Sequence, residues 1–388
     1  MATPETPPSP PAPAAGRVPI TQRLISLDAF RGATMALMVL VNNPGDGSHT
    51  YGPLNHSDWN GWTITDVVFP SFLWIVGVAM TFSLGGRLER GAAKSALMLQ
   101  ALRRAAIIYA LGLLCYLFPY FDFGTMRILG VLQRIGICYF LASAIYLWTP
   151  KVKAQIAWIV ALLGVYWLLM AFVPVPGYGA GRLDVAGNLS HYVDWHVLGA
   201  HNYAGTKTWD PEGIISTLPA IATALFGILA GHVLRMKRTL PERTTIMFLA
   251  GNALIALGLI CDIWLPINKK LWTSSFSLFM AGLDFVLLAF FVYFVDGQGY
   301  KRVVKPAVIM GMNAITIYML SELLAIALTA IRWGQGASAM NLQTWLYRTC
   351  FVPIASPYNA SLLWAVVFTL LMYVAAYAMY KKQWFVRI

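Results

Sequence analysis

Charge is scarce in this chain. Only 11% of its 388 residues are Asp, Glu, Lys or Arg, against roughly 25% in soluble domains. Hydrophobic residues make up 58% and the mean hydropathy is +0.63, so a soluble globular fold is excluded. The four cysteines (Cys115, Cys138, Cys261 and Cys350) form no CxxC pair and three lie in apolar runs, which argues against a zinc site or a disulfide scaffold. No repeat of roughly 20–50 residues is visible, which excludes solenoids and arrays. Residues 1–22 lack the apolar core of a secretory signal; rich in Pro and Ala, they read as a disordered tail.

What is present is a succession of apolar runs. A span needs about 20 mainly apolar residues, and ten stretches qualify: 24–42, 64–84, 105–121, 128–148, 154–173, 213–234, 244–264, 271–295, 306–331 and 360–380. The net charge of +12 sorts by connection. With the N-terminus inside, the inner connections hold Arg17 and Arg23, then Arg87, Arg90, Lys94, Arg103 and Arg104, then Lys151 and Lys153. Further along they hold Arg235, Lys237, Arg238 and Arg243, then Lys301, Arg302 and Lys305, then Lys381, Lys382 and Arg387. The outer connections hold only Arg182, Lys207, Lys269, Lys270, Arg332 and Arg348. This is the positive-inside pattern. It predicts an all-α polytopic membrane protein of about ten transmembrane helices, both termini cytoplasmic. Residues 23–388 form one transmembrane domain, and no basic stripe is left over for nucleic acid. The longer outer segments, 174–212 and 332–359, read as ordered loops.

Polar chemistry gathers at the first outer loop. Residues 43–61 contain no Lys or Arg but hold Asp46, His49, His56 and Asp58. His56 stands before the second span, where a neutral imidazole accepts a proton near pH 7. The plainer reading is an interfacial histidine bonded to a carbonyl. Asn42 ends the first span, Asp58 follows His56 by two residues, and Asp66 lies one turn inside the second span. A base, an orienting carboxylate and an amide donor make a proton-transfer set. Asp66 also fits a capping box with Thr63, and Pro70 is expected to kink or loosen that helix. Asp28 and Arg31 share one face as an ion pair or an intramembrane site. Gln133 and Arg134 lie deep in the fourth span and need a carboxylate, water or an anionic ligand. Asn313 and Glu322, nine apart in the ninth span, project in the same general direction on a continuous helix. Asp210-Pro211-Glu212 reads as a helix start or as an acidic pair for a sugar, with Trp209 as an aromatic face.

Taken together these residues resemble one family. LDAFRG (27–32), VN (41–42), HSDWNG (56–61) and TDVVFPSFLWIVG (65–77) look like the opening of the heparan-α-glucosaminide N-acetyltransferase family. RILGVLQRIGICYF (127–140), DPEGI (210–214), PINKKLW (266–272) and GMNAITIY (311–318) are similar in order and spacing. The resemblance implies a polytopic enzyme that takes acetyl from cytosolic acetyl-CoA and delivers it to an amino sugar across the membrane. It places the catalytic histidine at His56 and the active-site asparagine at Asn42, with Asp66 or Asp58 holding the imidazole. Arg31, Gln133, Arg134 and Asn313 become donor-binding candidates; Trp59, Asp210, Glu212 and Asn268 become acceptor-binding candidates. No metal is expected. The expected partners are the donor, an amino-sugar or glycan acceptor, the bilayer and a second copy in a homodimer. The loop between Asn42 and His56 is slightly longer than the family's. The chain starts without the extra N-terminal domain and anchor span of the lysosomal animal members. The expected location is a bacterial inner membrane. Two other readings stand beside this one: O-acetylation of an envelope polysaccharide, and an ion-coupled transporter or lipid-linked glycan carrier using Asp28, Arg31, Arg134 and Glu322.

Overall fold

The computed structural model describes residues 24–334 and 339–386; the expected tail at 1–22 lies outside them. Among the described residues thirteen α-helices follow one another: α1 (Ile25–Asn42), α2 (Ile64–Leu88), α3 (Lys94–Leu117), α4 (Val131–Trp148), α5 (Val152–Phe172), α6 (Leu189–Leu198) and α7 (Thr217–Leu234). Then come α8 (Leu240–Asp262), α9 (Ser274–Phe291), α10 (Lys305–Met312), α11 (Ala314–Ala330), α12 (Leu342–Cys350) and α13 (Pro357–Lys381). The strands β1 (Arg332–Trp333) and β2 (Met340–Asn341) make one short antiparallel pair. Among the described residues nine helices are long and apolar enough to cross a membrane, and α10 and α11, which pass the same test only when taken together, are bent by 79° at their junction. The chain is an all-α polytopic membrane protein.

Helix starts follow local chemistry. Thr63 and Asp66 close a capping box on α2, and Thr239 and Glu242 do the same on α8. Pro357 opens α13 at a position where a missing N–H costs nothing. α3 begins at Lys94, well before the apolar run at 105, because its first turns are a basic helix that continues into the span. The outer segments read from sequence as loops contain α6 and α12. α2 runs as one helix through Pro70, and the Ser71 hydroxyl donates to the Val67 carbonyl at 2.9 Å.

Packing sorts the helices into centre and rim. α2 and α7 are 72% and 78% buried, whereas α3, α5, α8 and α13 are 22–28% buried and turn apolar faces outward, as lipid permits. Within the centre, α2 and α7 touch backbone to backbone. A Cβ on Gly77 would lie 1.9 Å from the Ala224 carbonyl oxygen, and one on Gly227 would lie 1.9 Å from that of Trp74. Small residues that let helices close in this way replace the hydrophobic drive that lipid removes.

The expected continuous span 306–331 is broken at Asn313. α10 is drawn against α1: a Cβ on Gly32 would meet the Ala307 carbonyl oxygen at 1.6 Å, and one on Gly311 would meet that of Asp28 at 2.2 Å. The Asn313 side chain leaves the helix ladder, donating to the Trp384 carbonyl and accepting from the Val386 N–H, each at 3.0 Å. Asn313 and Glu322 therefore sit on differently directed segments and share no helical face. Paired broken spans mark many transporters; this break has no counterpart among the described residues.

Candidate functional site

The loop between α1 and α2 is fastened at several points. Asn43 caps α1 by donating to the Val39 carbonyl at 2.8 Å, the Gly45 N–H donates to the Ser361 carbonyl, and the Gly61 N–H donates to the Ile267 carbonyl at 2.7 Å. His56 and Asp66 meet across this fastened loop, His56 Nδ1 lying 2.6 Å from Asp66 Oδ1. The other Asp66 oxygen accepts from Ser57 N at 3.0 Å, Thr63 N at 3.0 Å and Thr63 Oγ1 at 3.2 Å. Asp66 is thus helix cap and imidazole partner at once. Its side chain is 1% exposed, while that of His56 is 46% exposed. An ionised carboxylate only accepts, so Nδ1 carries the proton and Nε2 keeps its lone pair. Asp58, the other orienting candidate, is exposed; its backbone carbonyl accepts from Lys270 Nζ at 2.5 Å. Asn42 is the last residue of α1 and is exposed.

Below this pair lies a cavity of about 420 Å³. Arg31, Met35 and Met38 of α1, Phe72 to Ser83 of α2, and Tyr318 of α11 line it, and Asn313 and Val386 meet it near Arg31. It shares Ser83, Arg104 and Tyr139 with a second cavity of about 280 Å³ that also holds Arg87, Gln100 and Arg103. Two donor-binding candidates, Arg31 and Asn313, thus face the larger cavity. Gln133 and Arg134 do not, although their neighbours Leu132 and Ile135 do. Gln133 packs its amide on Gly112. Arg134 donates to the Gly213 carbonyl at 2.9 Å and to Ser216 Oγ at 2.5 Å, beneath the Trp272 ring. Asp28 and Arg31 form the expected ion pair at 3.2 Å.

The acceptor-binding candidates divide. Trp59 is half-buried, donates to the Leu183 carbonyl at 2.8 Å and stands edge-on to Trp209. Asp210, Glu212 and Asn268 are buried. Arg127 grips Asp210 with Nε at 2.7 Å and Nη2 at 2.5 Å, and Nη2 also reaches Glu212. Lys269 stands 3.6 Å from Glu212. Burial pushes the Glu212 carboxyl up, but Lys269, Arg127 and Arg134 outweigh it and hold the group at about 2. Asn268 is held by Asn60 and Leu271. Arg127, just before α4, is the hub of this network.

Asp194 of α6 had no signal in the sequence beyond its type. It is wholly buried and accepts from Ile214 N at 3.0 Å and Asp210 N at 3.3 Å. Burial pushes its carboxyl up to about 7. A folded-state value above the ordinary one, roughly 3.9, means stability present in acid that is lost as pH rises through 7. Thermal unfolding in detergent should therefore be higher at pH 5 than at pH 8, and Asp194→Asn should flatten that slope. An unchanged slope would assign it to another group. No cluster of three or more His, Cys, Asp or Glu among the described residues is placed to hold a metal ion.

Residues 23–260 match the family described as heparan-alpha-glucosaminide N-acetyltransferase, catalytic. The chain is 29% identical over 357 residues to heparan-alpha-glucosaminide N-acetyltransferase of Mus musculus, covering 78% of this chain and 54% of that protein. It is 29% identical over 350 residues to the Homo sapiens protein of the same name, covering 76% and 52%. The chain spans about half the length of these curated relatives.

Proposed function

The chain belongs to the heparan-alpha-glucosaminide N-acetyltransferase catalytic family, and from that premise we propose that it carries acetyl from acetyl-CoA to an amino sugar or glycan across the membrane. His56 Nε2 takes a proton from the acceptor ammonium, and the neutral amine nitrogen then attacks the thioester carbonyl and sheds its second proton. The C–S bond breaks, and the CoA sulfur leaves as thiolate and takes up a proton. Asp66 fixes the imidazole tautomer throughout. The Asn42 amide donates to the carbonyl oxygen as it gains charge, a contribution worth about 3–4 kcal/mol in comparable sites.

One observation carries this reading: the His56–Asp66 pair stands at one end of α2, and an apolar cavity leading to a basic one occupies the other. From Ser83 to Phe72 the larger cavity follows α2 for about 16 Å at 1.5 Å per residue. The pantetheine arm of CoA is roughly 15–20 Å long by chain geometry, so it suits that length. Arg87, Arg103 and Arg104 of the smaller cavity supply the charge that CoA phosphates need. On this reading the basic end is cytoplasmic, His56 is extracytoplasmic, and the membrane is the bacterial inner membrane. A glycan hydroxyl in place of the amine would use the same groups.

The test is purified protein in liposomes with acetyl-CoA on the basic side and a panel of amino sugars and glycans lacking an amine on the other. N-acetylated amino sugar is the expected product; transfer only to hydroxyls would favour O-acetylation, and no transfer to any of them would end the proposal. Arg104→Ala should raise KM for acetyl-CoA about tenfold or more, since a hydrogen bond to a charged group contributes about 1.5–3 kcal/mol, and should leave kcat nearly unchanged. An unaltered KM would remove Arg104 from the donor site.

A further inference from the structure

The larger cavity gathers its polar side chains at the end away from His56, with one exception. Ser83, Arg104 and Tyr139 are shared with the basic cavity. Arg31 lies two turns of α1 before Met38 and reaches the Gly311 carbonyl at 3.4 Å, close to Asn313. At the end nearer His56 the lining is Met38 of α1, Phe72 of α2, Val131 and Leu132 of α4, and Tyr318 of α11. Only Tyr318 brings a polar group there. Two contacts fix its level. Met319, the next residue, has its Sδ 3.6 Å from Cys115 Sγ, and Tyr116, next to Cys115, accepts from Arg127 Nη1 at 2.9 Å. Arg127 also holds Asp210, beside the Trp209 ring that meets Trp59, a few residues after His56. Tyr318 is 8% exposed, and among the described residues its hydroxyl has no hydrogen-bond partner. A hydroxyl buried in that way is costly until some atom completes it.

We propose that Tyr318 is a further catalytic residue, whose hydroxyl donates a hydrogen bond to the CoA sulfur as the thioester breaks. This rests on the acetyl-transfer reading and deepens it. The amine nitrogen bonds to the carbonyl carbon, the C–S bond breaks, and its electron pair stays on sulfur. The sulfur arrives at the end of the pantetheine arm, where the other lining side chains are apolar and cannot meet its charge. A phenol ordinarily releases its proton at about 10 and a thiol at about 8.5. The proton therefore stays on the Tyr318 oxygen, the contact is a charge-assisted hydrogen bond, and water protonates the sulfur afterwards. Such a bond is stronger to a developing thiolate than to a neutral thioester, which is the condition for raising a rate. Asn42 serves the carbonyl oxygen and Tyr318 the leaving group.

The experiment uses the full chain in liposomes, with acetyl-CoA as donor and glucosamine as the acceptor probe. Tyr318→Phe keeps the ring and its packing, so it should fold and melt no lower than the wild type. It is expected to lower kcat about tenfold or more, the weight of one hydrogen bond to a charged group, while KM for acetyl-CoA stays within about twofold. Binding to the same protein in detergent reads the contact without turnover. At about pH 9, where most of a thiol of ordinary acidity is thiolate, Tyr318→Phe should bind CoA about fivefold or more weakly than the wild type does. Desulfo-CoA, which has no sulfur, should bind both proteins equally. A wild-type kcat in Tyr318→Phe, an unchanged affinity for CoA, or an equal loss for CoA and desulfo-CoA would each overturn the proposal. A wild type that neither binds CoA nor transfers acetyl sinks the acetyl-transfer reading and this role with it. An active, CoA-binding wild type beside an equally active Tyr318→Phe sinks only the role of Tyr318.

Discussion

His56→Ala should abolish acetyl transfer while leaving a folded protein that still binds acetyl-CoA. General acid–base catalysis contributes roughly 10²–10⁴-fold, so the loss should be at least two orders of magnitude in kcat. Folding should survive because the His56 side chain is half exposed and Asp66 keeps three other donors, from Ser57 N, Thr63 N and Thr63 Oγ1. Asp66→Asn separates position from chemistry. An amide in place of the carboxylate no longer forces the proton onto Nδ1, so turnover should drop by a comparable factor. It also weakens the capping box of α2, at about 1 kcal/mol. Rates and melting curves together then distinguish the two: His56→Ala loses only rate, Asp66→Asn loses both. Retained turnover in His56→Ala would take the imidazole out of the reaction.

The largest effect on stability should come from Arg127→Met. Arg127 is 10% exposed and holds Asp210, fully buried, and Glu212, 4% exposed. Breaking one side of a buried ion pair typically costs about 3–5 kcal/mol, because the remaining charge has no water and no partner. Here two carboxylates are stranded, with only Lys269 left near one of them. The variant should therefore unfold at a far lower temperature, and most readily at neutral and higher pH. With the guanidinium gone, the folded-state values of both acids rise above their unfolded ones, so stability present in acid is lost as pH increases. Adding Asp210→Asn and Glu212→Gln should restore much of the melting temperature. If Arg127→Met melts like the wild type, the network does not hold the outer loops together.

The spans were legible because lipid imposes length and apolarity on a crossing helix, and both can be read residue by residue. The break at Asn313 was not, since one Asn in an apolar run looks the same whether its amide stays with its own helix or turns to Trp384 and Val386. His56 and Asp66 could both be named, ten residues apart. What the sequence left open was which acid reaches the imidazole, because Asp58 is closer along the chain and only the fold of the loop brings Asp66 under the ring. Asp210 and Glu212 stood out as an acidic pair, yet their burial depends on Arg127, more than 80 residues earlier in the chain. A buried partner of that kind leaves no periodic trace. Asp284, wholly buried on α9 with Ser71 donating to it at 2.5 Å, was hidden for the same reason.

The backbone contact between α2 and α7 has a mechanical meaning. Gly77 and Gly227 leave no slack in which those two helices could slide or tilt, and Asp66, the seat of His56, is in the first turn of α2. His56 is thus mounted on a keel. In the proposed reaction, whatever shifts to admit a donor or let go of its spent carrier belongs to the loosely embedded rim of α3, α5, α8 and α13.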